Sequence, residues 1–144
     1  MTEKVKCAII GYGYMGEIRH RVVDQLDYAE LSMICETDSN KIKGESNFEV
    51  TTNANQVIES DVDVVFICTP NHLNVKLTLL CLENNKHVFC EKPPSFTSKE
   101  IKHIINLEKK YNKKIMYGFN HRHHGSIQKI KDIIESKEFG EVLW

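Results

Sequence analysis

The chain has 144 residues, which is enough for one domain with its own hydrophobic core. Hydrophobic residues make up 41% and charged residues 27%, a composition that excludes an intrinsically disordered chain. The 19 basic and 20 acidic side chains nearly cancel and form no basic run, so nucleic acid is not an expected partner. No apolar run resembles a membrane span or a signal peptide, so we expect no membrane partner and a cytoplasmic location.

The cysteines are odd in number, and no two of them have the CxxC spacing. Most lie within apolar runs that are typical of strands. We therefore expect buried, reduced thiols. The residues concerned are Cys7, Cys35, Cys68, Cys81 and Cys90.

The first part of the chain predicts a strand, a helix and a second strand. The apolar run Val5–Ile10 is typical of a buried parallel strand, and residues 31–35 predict the next strand. Between them, apolar residues at helical spacing predict a helix with one buried face: Met15, Ile18, Val22, Val23 and Leu26.

The glycine-rich turn of this unit has the GxGxxG pattern. Gly11 would allow a tight turn, Gly13 would let the backbone approach a pyrophosphate, and Gly16 would permit close packing of helix and strand. The phosphates would lie at the helix N-terminus, with Tyr14 and Met15 beside them. Glycine turns also arise for steric reasons alone, but the position between strand and helix favours dinucleotide binding.

Glu36 stands 20 positions after Gly16, at the end of the second predicted strand. A carboxylate at this point accepts hydrogen bonds from ribose hydroxyls and repels a 2′-phosphate, so NAD is the predicted cofactor. NADP is the less favoured alternative, because Lys41 and Lys43 are the nearby cations and no arginine follows. The competing interpretation of Glu36 is a solvated charge at a strand end.

Strand and helix patterns continue to alternate to the end of the chain. Residues 62–68 give the strongest strand pattern, and weaker ones cover residues 48–51, 88–90 and 115–118. Thr97 and Glu100 form a capping-box pattern, and a last helix should stop near Gly140. The apolar faces of the three later helices are Leu73, Leu77, Leu80 and Cys81, then Ile101, Ile104 and Ile105, then Ile127, Ile130 and Ile134.

Such alternation predicts an α/β fold of the Rossmann type over residues 1–140. The sheet should be doubly wound and mainly parallel, with helices on both faces. Ligands bind outside the carboxyl ends of the strands in such sheets, and each polar motif of this chain follows a predicted strand.

Four segments after the glycine turn carry a family resemblance. In chain order they are residues 64–72, which contain a Thr-Pro turn, residues 86–93, which contain Glu-Lys-Pro, residues 118–122 (Gly-Phe-Asn-His-Arg) and residues 140–142. Together they resemble the glucose-fructose oxidoreductase, inositol dehydrogenase and rhizopine-catabolism (Gfo/Idh/MocA) family. The resemblance covers nearly the whole chain, and the ordered set is far more specific than any one motif.

The resemblance implies a role for each matching residue. Lys92 would face the substrate hydroxyl, where a lysine can stabilise charge that develops on oxygen during hydride transfer. The competing interpretation is a solvated surface lysine. The residues implied to contact the cofactor are Thr69, Pro70, Asn71 and His72 along the Thr-Pro turn, Glu91 at the nicotinamide ribose, and Asn120 and Arg122 near the nicotinamide.

Three features depart from the family pattern. Asn74 stands where the family often has a histidine, and Pro94 follows Glu-Lys-Pro where the family has a small apolar pair. The histidines at positions 121, 123 and 124 are unfamiliar, but they lack a partner cluster, so we expect no metal.

Family members continue into an α+β domain that completes the substrate pocket. We therefore expect residues 141–144 to begin a missing C-terminal domain. The predicted function is the NAD(H)-binding domain of a sugar or sugar-nucleotide oxidoreductase, inactive as this fragment, that serves hydride transfer between a secondary alcohol and NAD. The alternative is a stand-alone NAD-binding or redox-sensing module acting through a partner protein. The sequence does not identify the substrate. Members of the family commonly associate, so a homo-oligomer is among the expected assemblies.

Overall fold

A computed structural model describes residues 3–42 and 47–142 of the chain. Its six strands are β1 (Val5–Ile10), β2 (Ala29–Cys35), β3 (Glu49–Thr51), β4 (Val64–Ile67), β5 (His87–Cys90) and β6 (Ile115–Tyr117). Its five α-helices are α1 (Tyr14–Val23), α2 (Ala54–Glu59), α3 (Asn71–Glu83), α4 (Ser98–Tyr111) and α5 (Gly125–Ser136). Short 3-10 turns cover Ser39–Lys41 and Asn120–His123.

The strands form one parallel sheet in the order β3-β2-β1-β4-β5-β6. The central strand β1 pairs on both sides, with Ile10 opposite Cys35 of β2 and opposite Ile67 of β4. The strand order reverses on the two sides of β1. In a parallel sheet this reversal opens a crevice at the carboxyl ends of the central strands, where ligands bind.

Alternate residues of β1 point to opposite faces of the sheet, and each face has its own core. Ala8 and Ile10 pack on the face covered by α2, α3 and α4, whereas Cys7 and Ile9 pack on the face of α1. The predicted fold, a doubly wound parallel sheet with helices on both faces, is confirmed.

Most residues of the predicted apolar helix faces are at least partly buried, but some residues at the edges of these faces are exposed. Val22 and Ile105 are 44% and 40% exposed, because each lies beside the buried stripe of its helix, which is marked by Val23 and Ile104. Helix α2 had no predicted counterpart, since only Val57 and Ile58 mark its buried side. The isoleucines of α5, at positions 127, 130 and 134, are between 41% and 52% exposed.

All five cysteines are free thiols, and four of them are buried, as predicted. Cys68 is partly buried, and burial raises its pKa to about 12, which keeps the thiol protonated at neutral pH. Among the described residues, no helix is long and apolar enough to cross a membrane.

Candidate dinucleotide-binding site

The turn between β1 and α1 requires glycine at its first position. Gly11 has φ +92°, and a Cβ atom there would lie 2.6 Å from the carbonyl oxygen of Cys68. The Gly11 N–H donates to the carbonyl oxygen of Cys35 at 2.8 Å, which ties the turn to the end of β2. Any side chain at this position would push the turn away from β4.

The second and third glycines differ sharply in their surroundings. A Cβ at Gly16 would overlap the carbonyl oxygen of Gly11, so this glycine packs the helix against the turn. A Cβ at Gly13 would meet no atom within 4 Å. Gly13 is the N-cap of α1 and supplies no capping side chain, so no side chain of the cap accepts from the first N–H groups of the helix.

Glu36 follows β2 directly, and its residue is only 6% exposed. Its Oε2 accepts a hydrogen bond from the Tyr12 N–H at 2.7 Å, and its Oε1 accepts one from the Asp38 N–H at 3.0 Å. Lys41 Nζ lies 3.4 Å from Oε1. Burial raises the pKa of the carboxyl, but the two backbone donors and Lys41 outweigh it, so the pKa of Glu36 is held below its usual value. The carboxylate is therefore charged at neutral pH.

A cavity of about 780 Å³ connects the glycine turn to Glu36 and to the start of α3. This volume is in the range of about 300–1,000 Å³ that is usual for small-molecule sites. Leu73, Leu77 and Leu80 of α3 give it an apolar wall. The predicted site residues that line it are Gly11, Gly13, Tyr14, Met15, Glu36, Thr69, Pro70 and His72.

The remaining predicted residues lie outside this cavity. Asn71 is the exposed first residue of α3, and Lys92 and Arg122 are exposed as well. Glu91 is buried at the end of β5, and Asn120 is exposed just after β6. The structure therefore separates the predicted residues that line the cavity, which follow β1, β2 and β4, from those that follow β5 and β6.

Asn74 joins the Thr-Pro turn to the Glu-Lys-Pro segment. Its side chain is fully buried, and Nδ2 donates to the carbonyl oxygens of Glu91 and Pro93, each at 3.1 Å. Its Oδ1 accepts a hydrogen bond from Thr69 Oγ1 at 3.3 Å. The residue that departs from the family pattern thus fixes two segments that carry predicted site residues.

Arg19 contacts two predicted site residues, although the sequence did not indicate it. It extends from α1 to Glu91, with Nη2 2.5 Å from Oε1, and its Nη2 lies 3.4 Å from Asn120 Oδ1. A lone arginine within a helix gives no sequence signal for a partner 72 positions away. The contact can be recognised only in the folded structure, where the Arg19 side chain reaches the end of β5.

The described residues contain no group of three or more histidine, cysteine, aspartate or glutamate side chains that could hold a metal ion. The rings of His121 and His124 do lie close together, with centroids 5.1 Å apart. Lys43, the second cation considered near Glu36, lies outside the described residues.

A parallel sheet in this strand order, with a glycine turn at its central strand, defines the Rossmann class of α/β proteins. A family model described as an oxidoreductase family with an NAD-binding Rossmann fold matches residues 5–119. The chain belongs to this family, Gfo/Idh/MocA, as its motifs predict.

Relatives are roughly one-quarter identical to this chain over the aligned residues. The oxidoreductase YrbE of Bacillus subtilis (strain 168) is 28% identical over 97% of the chain, and the D-glucoside 3-dehydrogenase of Escherichia coli (strain K12) is 27% identical over 98%. The crystal structure of myo-inositol 2-dehydrogenase from Lactobacillus plantarum matches 97% of the chain with a TM-score of 0.88 and 27% identity. The chain spans 42% of the length of the first two relatives and 43% of the third.

Proposed function

We propose that this chain is the NAD-binding part of an oxidoreductase that transfers hydride between NAD and a secondary alcohol of a sugar-type substrate. The observation that carries the proposal is the buried, charged Glu36 at the end of β2, which faces the same cavity as the open Gly13. The substrate class rests on relatives that are dehydrogenases of a glucoside and of an inositol.

The adenosine half of the cofactor fits the cavity beside Glu36. The carboxylate Oε2 has one strong donor, Tyr12 N–H, and retains capacity to accept from a ribose hydroxyl. The leucine wall of α3 offers an apolar surface for the adenine ring. The pyrophosphate would then lie over Gly13, at the N-terminus of α1, where N–H groups and the helix dipole favour an anion.

NAD is favoured over NADP by charge. A 2′-phosphate placed beside Glu36 would meet a carboxylate whose lowered pKa keeps it ionised, and Lys41 is already paired with that carboxylate. Two like charges a few ångströms apart at a partly screened site cost on the order of 1–3 kcal/mol, or roughly a tenfold or larger difference in affinity.

Lys92, Asn120 and Arg122 would serve the reacting end of the cofactor. Each follows β5 or β6, on the half of the sheet that receives the second nucleotide of a dinucleotide. Lys92 is exposed, so its amino group is free to reach a substrate held above the nicotinamide. We propose that residues beyond 140 lead into the domain that would hold that substrate; Glu141 and Val142 belong to no helix or strand, and residues 143–144 lie outside the described part.

Calorimetric titration with NAD and NADP tests the role of Glu36. The parent chain should bind NAD at least about tenfold more tightly than NADP, and Glu36→Gln should narrow the difference to about threefold or less. Glu30→Ala is the matched control, because Glu30 is an exposed carboxylate on the same strand near its amino end. Equal or tighter binding of NADP by the parent chain would overturn the assignment of Glu36.

A further inference from the structure

The ion pair between Arg19 and Glu91 is held in one arrangement. Both Nε and Nη2 of Arg19 donate to Glu91 Oε1, at 3.1 and 2.5 Å, and the two side chains are only 13% and 10% exposed. A pair with this geometry and burial is screened little by solvent.

Neighbouring groups restrict both partners. The guanidinium of Arg19 lies over the ring of Phe89, with 4.4 Å between Cζ and the ring centroid. On the other side, a Cβ at Gly118 would lie 2.6 Å from Glu91 Oε2, so the backbone after β6 closes against the carboxylate. Arg19 therefore fixes where the charge of Glu91 is located and neutralises it there.

The pair lies at the end of the sheet where the nicotinamide half of the cofactor belongs. Glu36 and the glycine turn occupy the β1–β2 side, and a dinucleotide extends from there across the reversal of strand order. The opposite side, at the carboxyl ends of β4, β5 and β6, carries Glu91, with Arg19 reaching it from α1. This placement rests on the proposed function.

The two redox states of the cofactor differ in charge at this end. The nicotinamide ring is a cation in NAD⁺ and is neutral in NADH. A buried carboxylate alone would favour NAD⁺, a buried guanidinium alone would favour NADH, and a tight pair favours neither strongly.

We propose that Arg19 sets the redox-state preference of the site by cancelling the charge of Glu91 beside the nicotinamide. Arg19 acts through Glu91 and is a positioning residue. Removal of Arg19 should increase the affinity for NAD⁺ relative to NADH, and removal of the Glu91 charge should increase the affinity for NADH relative to NAD⁺.

The test is the ratio of the dissociation constants for NAD⁺ and NADH, measured by calorimetry and by NADH fluorescence. Relative to the parent chain, Arg19→Gln should shift the ratio about fivefold to tenfold toward NAD⁺, and Glu91→Gln should shift it by a similar factor toward NADH. Arg19→Lys and the double variant Arg19→Gln/Glu91→Gln should both stay within about twofold of the parent ratio. A structural defect would weaken the binding of both NAD⁺ and NADH. It would not shift the ratio in opposite directions in the two single variants.

A second ion pair serves as the control. Lys6 Nζ lies 2.6 Å from Asp61 Oδ2, and Lys6 is near the amino end of β1, so Lys6→Gln should leave the ratio unchanged.

Unchanged ratios in Arg19→Gln and Glu91→Gln, with NAD⁺ and NADH still bound, would overturn the inference about Arg19. If Arg19→Gln fails to fold, the Glu91→Gln variant alone tests the inference. A ratio in this variant that shifts toward NAD⁺, or does not shift, contradicts the proposal. Failure of the parent chain to bind NAD⁺, NADH or ADP would instead contradict the proposed function.

Discussion

Asn74 shows how one buried amide organises two segments of the candidate site. Its two Nδ2 bonds use the carbonyl oxygens of Glu91 and Pro93, and its Oδ1 accepts from the Thr69 hydroxyl. Every polar atom of this fully buried side chain therefore has a partner. Buried carbonyl groups that lose such a donor cost about 1–3 kcal/mol each.

Asn74→Ala should lower the free energy of unfolding by about 2–4 kcal/mol, because it leaves two carbonyl oxygens and a hydroxyl without their partner. Urea unfolding followed by circular dichroism measures this change. The matched control is Asn84→Ala, since Asn84 Nδ2 also donates to a carbonyl oxygen, that of Leu80, but at an exposed position. The control should cost less than about 1 kcal/mol. An equal effect of the two substitutions would show that Asn74 does not carry the contacts described.

The residues that the sequence could predict are those whose signal is local. The glycine turn spans six positions, and Glu36 is recognisable by its distance from Gly16 and its place after a strand. Arg19 and Glu91 are 72 positions apart, and Asn74 is 17 positions from Glu91. Their contacts depend on which strands become neighbours in the sheet, and a single sequence does not encode that pairing in any short pattern.

At the scale of elements, α4 begins with a capping box that the sequence predicted correctly. Thr97 Oγ1 accepts from the Glu100 N–H at 3.3 Å, and Glu100 Oε2 accepts from the Thr97 N–H at 3.0 Å. These reciprocal bonds satisfy N–H groups that have no partner within the helix. The motif was predictable because all of its contacts lie within four residues.

Thr97→Ala should reduce the free energy of unfolding by about 1 kcal/mol, the usual cost of losing an N-cap oxygen. Thr97→Ser keeps that oxygen and should recover most of the loss. Both variants can be measured by urea denaturation. A serine variant as unstable as the alanine variant would mean that the methyl group of Thr97, and not the hydrogen bond, stabilises the start of α4.

Helix α5 shows what periodicity alone leaves out. Isoleucines at helical spacing predicted a helix, and Gly125–Ser136 confirms it, ending a few residues before the predicted stop near Gly140. The same isoleucines are about half exposed, at positions 127, 130 and 134. An apolar stripe predicts helical structure, whereas burial also needs a neighbouring element, and no residue of α5 is buried.

At the scale of the whole molecule, the order of the strands accounts for the separation of the site into two parts. The reversal of order at β1 places the glycine turn at the centre, with Glu36 on one side and Glu91 on the other. The cavity of about 780 Å³ is lined by the glycine turn, by Glu36 after β2 and by residues that follow β4, whereas Glu91 does not line it. A dinucleotide that extends across the reversal would contact both parts, each with its own carboxylate.

A calorimetric titration of the parent chain beside Gly13→Val tests most directly whether NAD binds over the glycine turn. A Cβ at Gly13 meets no atom within 4 Å, so valine should leave the fold and the circular dichroism spectrum unchanged while it fills the space of the pyrophosphate. Gly125→Val is the matched control, because Gly125 also begins a helix and its Cβ would also meet nothing within 4 Å. If the pyrophosphate lies over this turn, the parent chain and Gly125→Val should bind NAD alike, and Gly13→Val should bind it at least about a hundredfold more weakly. A folded Gly13→Val variant that binds NAD within about threefold of the parent chain would show that the pyrophosphate does not lie over this turn.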